Sequence, residues 1–518
     1  MDREINLESI RALEKQIGEH EGNEKAVIQL KRSRNSLLNI SILLPPEILG
    51  SIFHWNVIPS GDFAGLEKGS YNFLLVCHHW FEVASRTPEL WSFWGNSIED
   101  WTHRHTRCGS GPVDVALNWN NELGDELRDA LRDCAARGVI RRICLRSAGG
   151  ALISSIISAI VIEGEGAWSN SMESFKVMNY GWSLVDISAF FSRYHLPKLR
   201  SLCLFGCRIS SWGLLKSQTT ALTTLSLTVS ELSPVPTPSQ LLSILSFSPL
   251  LRDLALIQIP GSDVIGSDAP TIRVQLRHLR QLFLSGNFRG VFTLLNLLEV
   301  PDKIDSQQVD LHGCSLSCLS QTLGPYFGDR VQRRDRVPGV GIGLLVEHSQ
   351  STFHLRAGDT RVGHDPAKMI WFAEISAVAG APLEDEEADR LCFDLIAHVQ
   401  REQVTSLRTN LRIPRWEELC VEMRNLTHLH LLNIDLSTWF AELGVHKPQA
   451  PNELLRGLKH IEVTGPLPSG DWSPLTKFLS HRAAIGNRIS SLKVRDHPHM
   501  NKDVVASIER TVDIFECG

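Results

Sequence analysis

The sequence has no excess of positive charge. Fifty-two Lys and Arg face 58 Asp and Glu, a formal net charge of −6. A protein that holds nucleic acid on a basic face shows the opposite balance. It also has no apolar run long enough to cross a bilayer: the longest, Ala151 to Ile162, suits a buried helix. Met1 to Glu8 is charged and carries no apolar signal segment. The eleven cysteines are scattered, odd in number and mostly set in apolar runs. That pattern argues against a disulfide scaffold and for a reduced, intracellular chain of cytoplasm or nucleus. There is no GxxxxGK[ST] loop, no GxSxG elbow and no HExxH helix, so no catalytic constellation is recognisable. With 43% apolar and 21% charged residues, the chain is composed like an ordinary globular protein. Its 518 residues allow about three or four domains.

Three regions follow one another. In residues 1–40, apolar side chains at Ile10, Leu13 and Ile17, and then at Val27, Leu30, Leu37 and Leu38, predict an amphipathic helix. Gly18 and Gly22 weaken its middle, so a short helix or hairpin is expected rather than a coiled coil. Residues 41–105 predict a small helical unit. Leu44-Pro45-Pro46-Glu47-Ile48-Leu49 opens a helix with proline in the first turn and an acid near its positive end. A second helix is expected over Asn72–Ser85 and a further turn at Thr87-Pro88-Glu89-Leu90-Trp91. Trp80, Trp91, Trp94 and Trp101 lie within 22 residues, a large aromatic surface for so small a unit.

From Ile140 onward an internal repeat appears. Its Leu-x-x-Leu-x-Leu frame is cleanest at Leu199/Leu202/Leu204/Cys207 and Leu279/Leu282/Leu284/Asn287. The frame recurs from Leu222, Leu251 and Leu426, and more loosely from Ile140, Met172, Leu458 and Ile489. Val309-x-Leu311-x-x-Cys314 fits if its first anchor is lost to Ser306. Steps of 32, 27, 23, 29 and 28 residues, and later 32 and 31, match a leucine-rich repeat. In such a repeat the alternating leucines of a short strand point inward, and the Cys or Asn three residues on closes the turn. Gln240–Ser246, Val291–Leu298 and Glu384–Gln400 are expected as outer helices, and Thr352–Arg356 and Lys368–Phe372 as strands. The fold class predicted is α/β: a small all-α unit, then one solenoid over 106–518, irregular at 315–403, with parallel strands on a concave face and helices outside.

The segment Leu44–Trp91 resembles an F-box. The likeness is carried by Leu44-Pro45-Pro46-Glu47-Ile48-Leu49, Ile52-Phe53, Leu75-Val76-Cys77-His78-His79-Trp80 and Pro88-Glu89-Leu90-Trp91. The chain as a whole is similar to the large F-box and leucine-rich-repeat proteins of mushroom-forming fungi. The loop between Phe53 and Phe73 is longer than in a typical F-box. The resemblance implies docking on a Skp-family adaptor of a cullin–RING (SCF) ubiquitin ligase, with a protein substrate held by the repeats. By position it implies adaptor-binding roles for Leu44, Pro45, Pro46, Ile48, Leu49, Ile52, Phe53, Val76, Cys77, Trp80 and Trp91. It implies no cofactor, no metal, no nucleic acid and no membrane, and an adaptor rather than an enzyme. The alternative is a repeat-based scaffold that binds proteins without recruiting a ligase.

The concave face is expected to carry the residues that alternate with the inward leucines. These are Arg142, Arg146, Lys176, Cys203, Phe205, Thr224, Ser226, Asp253, Gln281, Phe283, His428, His430, His460, Glu462, Lys493 and Arg495. Basic residues fall at both ends and small or apolar ones between. His428-x-His430 and His497-x-His499 could each offer two imidazoles, but no cysteine or acidic cluster nearby completes four-coordination. Cys203-x3-Cys207 and Cys314-x3-Cys318 resemble half a zinc knuckle, yet the repeat already accounts for Cys207 and Cys314. His103-x-His105-x-x-Cys108 is assigned to the loop leaving the helical unit. Gly339-x-Gly341-x-Gly343 lacks a strand–turn–helix setting and reads as a connection. Asn425-Leu426-Thr427 is a formal glycosylation sequon inside a repeat strand and is set aside.

Overall fold

The computed structural model describes residues 2–20, 23–38, 44–57, 71–95, 101–119, 125–147, 149–163, 171–228, 235–261, 273–301, 304–314, 342–349, 352–359, 370–379, 393–394, 396, 399, 404–410, 422–433, 455–465, 471–496 and 500–517. The protein is mixed α/β, with mainly parallel strands. It divides into two compact units: Met1–Leu225 with Val229–Val235, and Ser226–Thr228 with Pro236–Gly518. The helical segment and the first parallel strands share one unit.

The first unit begins with two helices that pack on each other, α1 (Asp2–Glu19) and α2 (Glu24–Leu38). This is the expected hairpin, broken where Asn23 caps the second helix through Ala26 N–H. α3 (Pro46–Val57) starts with proline, as its sequence demands, and Pro45 O accepts from the amides of Ile48 and Leu49. The predicted helix over Asn72–Ser85 is instead a 3-10 turn (Tyr71–Leu75) followed by α4 (His78–Ser85). Cys77 is fully extended (φ −161°, ψ 168°), which separates the two. A second 3-10 turn, Pro88–Trp91, meets the expectation for that segment.

β1 (Phe93–Trp94), α5 (Trp101–Cys108), β2 (Val113–Trp119), α6 (Asp125–Ala136), β3 (Ile140–Ser147), α7 (Gly150–Glu163) and β4 (Ser174–Asn179) come next. His103 to Cys108 thus lie on a helix, not in a loop. After β5 (Val185–Asp186) and α8 (Ser188–Arg193) come β6 (Ser201–Phe205), β7 (Cys207–Arg208) and β8 (Thr224–Thr228). β1, β2, β3, β4 and β6 pair in that order, all parallel, and β5 pairs with β7. Parallel neighbours need crossovers, and helices α6 to α8 supply them. The backbone turn after β6 uses Gly206 (φ +63°), where a Cβ would collide with Asn179 O. Asn179, 1% exposed in the core, ties that turn together: its amide donates to Ser183 O (2.6 Å) and Gly206 O (3.0 Å) and accepts from Gly181 N. The repeat pattern places its closing residue one position later and so misses Asn179.

In the second unit, α9 (Pro238–Ser246) opens with a complete capping box between Thr237 and Gln240. Strands β9 (Asp253–Ile259), β10 (Val274–Gln275), β11 (Gln281–Asn287), β12 (Leu298–Glu299) and β13 (Ser306–Cys314) follow, with α10 (Phe288–Leu297) after β11. Asn287 caps α10 by accepting from Arg289 N, so the repeat's closing asparagine does the work expected of it. Next are β14 (Ile342–Ser349), β15 (Thr352–Asp359), β16 (Ile370–Ala379), β17 (Val404–Thr409), β18 (His428–Leu432) and β19 (His460–Thr464). α11 (Ser473–Ala484), β20 (Ile489–Arg495), α12 (Lys502–Glu509) and β21 (Val512–Cys517) complete it. The ladder runs β9, β11, β13, β16, β15, β14, β17, β18, β19, β20, β21. Only the β16–β15 and β15–β14 pairs are antiparallel. Gly343 belongs to β14, opposite Gly358, rather than to a free connection. Gly339, Gly341, Cys318, His497, His499 and most of Glu384–Gln400 lie outside the described residues.

Every inward residue of the nine complete frames named above is at most 3% exposed. Burying each stabilises by roughly 1.5–3 kcal/mol, which makes these frames the core of both units. Two frames differ from expectation. Leu279, Leu282 and Leu284 align with Ile304, Gln307 and Val309, so the anchor is Ile304 and not Ser306, and Gln307 takes a leucine position at 4% exposure. Val404, Leu407 and Thr409, each fully buried, form a frame that a leucine search passes over.

Candidate functional site

Two faces of α3 have opposite fates. Leu49 (1% exposed) and Phe53 (0%) point inward. The Phe53 ring stacks on Phe73 (centroids 4.5 Å) and meets Trp80 at 5.0 Å. Trp91 is buried as well, its indole N–H donating to Ala84 O, and Arg107 lies over its ring at 4.5 Å. These three residues were expected on the adaptor surface. The structure corrects that: all three are buried, at no more than 5% exposure, and belong to the core of the helical segment. Ile48 (50%), Ile52 (41%) and Val76 (44%) are exposed, with Pro45 and Pro46, while Leu44, Cys77 and Trp80 are half-buried. Trp55 (84%), Leu75 (85%) and Phe81 (40%) are exposed too and were not among the residues expected to bind an adaptor. The spacing of Ile48, Ile52 and Trp55 (i, i+4, i+7) was a readable signal for Trp55. Beside this stripe lies a cavity of about 670 Å³ between α3 and α4, lined by Glu47, His54, Trp55, His79, Glu82 and Glu89 among others.

The strand faces form the second candidate. In the first unit the alternate residues make three rows across β2, β3, β4 and β6. They are Asp114–Arg142–Ser174–Ser201, Ala116–Cys144–Lys176–Cys203 and Asn118–Arg146–Met178–Phe205. The register therefore brings the predicted Arg142, Arg146, Lys176, Cys203 and Phe205 onto one face. Asp114, 6% exposed, is bound by Arg141 through Nη2 (2.7 Å) and Nε (3.0 Å), with Arg142 Nε at 3.3 Å. The hydrogen bonds that Arg141 donates to Asp114 raise the Arg141 pKa above its ordinary value. Thr224, Ser226, Asp253 and Phe283 also alternate with buried leucines and are half-buried, and Gln281 is exposed.

In the second unit His428, His460 and Ser491 share one row, and His430, Glu462, Lys493 and Glu516 the next. The imidazoles of His428 and His460 stack, with centroids 4.2 Å apart. His460 Nδ1 lies 2.8 Å from Ser491 Oγ, and His430 Nε2 lies 2.9 Å from Thr464 Oγ1. The charges pair among themselves: Arg495 with Glu462 (2.9 Å) and Lys493 with Glu516 (2.7 Å). Burial, and then the neighbouring Lys459, hold the His460 pKa below its ordinary value. The unfolded chain then binds this proton more readily than the folded one, so stability falls as pH drops through the histidine range. The melting temperature of the wild type should fall more between about pH 7.5 and about pH 5.5 than that of His460→Asn. Equal losses in both would refute the assignment.

One cluster has the ligand types of a metal site. Atoms of His105, Asp133 and Cys134 lie within 4.8 Å of one another. Arg137 is already inserted among them, with Nε 2.8 Å from Asp133, and Nη2 3.0 Å from His105 Nε2 and 3.3 Å from Cys134 Sγ. Burial pushes the Cys134 thiol up to about 12, so it is neutral at physiological pH. A guanidinium in the centre and a protonated thiol do not fit a metal ion. Burial likewise raises Cys207 to about 12 and raises Cys108 and Cys144. Cys517 is exposed. Brief iodoacetamide treatment of the native chain should alkylate Cys517 and spare these four until the protein is unfolded. Rapid labelling of Cys134, read by peptide mass spectrometry, would contradict this.

Among the described residues no helix is long and apolar enough to cross a membrane. No family model matches the chain, and no curated protein matches it significantly.

Proposed function

We propose that this protein is a non-catalytic substrate receptor of an SCF-type ubiquitin ligase, built as an F-box followed by a leucine-rich-repeat solenoid. The observation that carries this reading is the split of α3. Leu49 and Phe53 close a small aromatic core, while Ile48, Ile52 and Trp55 on its other side stay exposed, as do Leu75 and Val76. An isolated unit has no use for so much exposed apolar surface, and an apolar partner face explains it. The parallel frames, with buried leucines and half-exposed alternate residues, support a repeat domain whose open strand face takes a protein substrate. Ligase chemistry belongs to other subunits.

Co-expression of the full chain with a Skp-family adaptor tests the reading. A stoichiometric complex on size exclusion is expected. If the chain runs alone where a known F-box protein is captured, the receptor role is lost and a scaffold without ligase recruitment takes its place.

A further inference from the structure

The α1–α2 hairpin has an apolar seam that its own two helices do not bury. Ile10, Leu13 and Ile17 fall at i, i+3 and i+7, and so do Val27, Leu30 and Arg34. That is the inward spacing of a heptad. The two helices pack on each other, yet all six side chains are only half-buried. Two helices cannot enclose such a seam: each row meets the opposite row and keeps one side open to water. Leu49 and Phe53 on α3, by contrast, are at most 1% exposed. Helices of 18 and 15 residues are marginal without such burial.

The flanks of the seam show which side is open. On one flank lie Ser9 and Ala26, both half-buried, small residues that let the two helices approach. On the other lie Glu14 and Lys31, both exposed. Ile28, 42% exposed, sits on that second flank, one turn before Lys31. Charge divides between the helices as well. α1 carries five acidic and three basic side chains, and α2 carries one acidic and four basic.

We infer that a second copy of this chain covers the open side, two hairpins closing face to face into an antiparallel four-helix bundle about a two-fold axis. Each acidic α1 then lies between two basic helices, its own α2 and that of the second copy. A two-fold axis along the bundle keeps both hairpins at the same height. Glu14 stands five residues from the end of α1 and Lys31 seven from the start of α2, so they differ in height by only about 3 Å. Antiparallel neighbours match like flanks, which sets Glu14 of each copy against Lys31 of the other. Ile28 passes from solvent to the edge of the new contact. Charge complementarity selects a second copy as the occupant: the hairpin supplies both signs, nearly in balance, and so meets its own image without repulsion. Self-association goes beyond the receptor reading and does not depend on it.

Sedimentation velocity on the full chain tests this. A species of about twice the 57.9 kDa chain mass is expected at micromolar concentration. Ile28→Asp should weaken the dimer about tenfold or more without changing the far-ultraviolet spectrum. Glu14→Lys places two cations at each contact, and Lys31→Glu places two anions there. Each variant alone should dimerise about tenfold or more weakly than the wild type. Mixed in equal amounts they should form a heterodimer at near wild-type affinity, because a lysine at 14 then meets a glutamate at 31 and the native pair forms at the other contact. A variant that merely unfolded the hairpin could not be rescued by mixing. A chain that stays monomeric at about 100 μM, variants that dimerise as well as wild type, or a mixture no more dimeric than its components would overturn the inference. Adaptor capture is scored separately on the same proteins: a monomeric wild type that captures adaptor overturns the dimer alone, and a dimer that captures none overturns the receptor reading alone.

Discussion

Replacing Ile48 and Leu75 together by aspartate should abolish capture of a Skp-family adaptor and leave the fold intact. Both side chains are exposed, at 50% and 85%, so neither change opens a cavity. Each places a charge where the partner's apolar surface would have to desolvate it. Anchors of this kind commonly contribute about 2–4 kcal/mol each, so the pair should weaken binding by more than about a hundredfold. Phe53→Ala is the contrasting variant. Phe53 is fully buried between Phe73 and Trp80, and its truncation should cost the helical unit about 3–5 kcal/mol. It should lose capture by unfolding, with a matching loss of near-ultraviolet aromatic signal, whereas the aspartate pair keeps that signal. Calorimetric titration with adaptor separates the two. Binding by the Ile48→Asp, Leu75→Asp protein at wild-type affinity would remove this face from the interface.

The second large effect lies far along the chain. Arg482→Met should destabilise the protein by roughly 3 kcal/mol and lower its melting temperature by roughly 5–10 °C. Arg482 is 4% exposed, yet no carboxylate pairs with it among the described residues. Its guanidinium instead donates to backbone carbonyls: Leu455 O at 2.7 Å, Leu458 O at 3.0 Å and Asn487 O at 3.0 Å. Burial lowers its pKa to about 10, still far enough above neutrality to keep the charge. These bonds tie α11 to the turn before β19, where Leu455 adopts φ +55°. Methionine fills the stem's volume but leaves the carbonyls unmet, and an unmet buried acceptor costs more than the bond was worth. Lysine should restore less than half the loss, since one nitrogen cannot reach the three carbonyls that Nε, Nη1 and Nη2 of the guanidinium meet separately. A Met variant within about 0.5 kcal/mol of wild type would show that solvent reaches these carbonyls.

Much of this architecture is legible in the chain because leucine at a fixed interval has one physical use. The frames at Leu199, Leu222, Leu251 and Leu279 declare their strands, and those strands are buried as expected. The pattern fails where a polar residue occupies an inward position. Gln307 and Thr409 do so, which hid the Ile304 and Val404 frames. Their neighbours on the adjoining strand decide the register, and those neighbours are distant in sequence. The same limit applies to the candidate site. Ile48, Leu49, Ile52 and Phe53 form one apolar set in the sequence. Which pair faces inward is decided by Phe73 and Trp80, farther along the chain. Likewise, the engagement of Asp114 by Arg141 and Arg142 depends on strand register and has no local signature.

Amide hydrogen exchange of the full chain, with and without a Skp-family adaptor, tests the central claim most directly. Protection should appear over Pro46–Val57 and Tyr71–Cys77, and the strands Ile140–Ser147, Ser174–Asn179 and Ser201–Phe205 should exchange as before. Protection confined to those strands, or none anywhere at saturating adaptor, would contradict it.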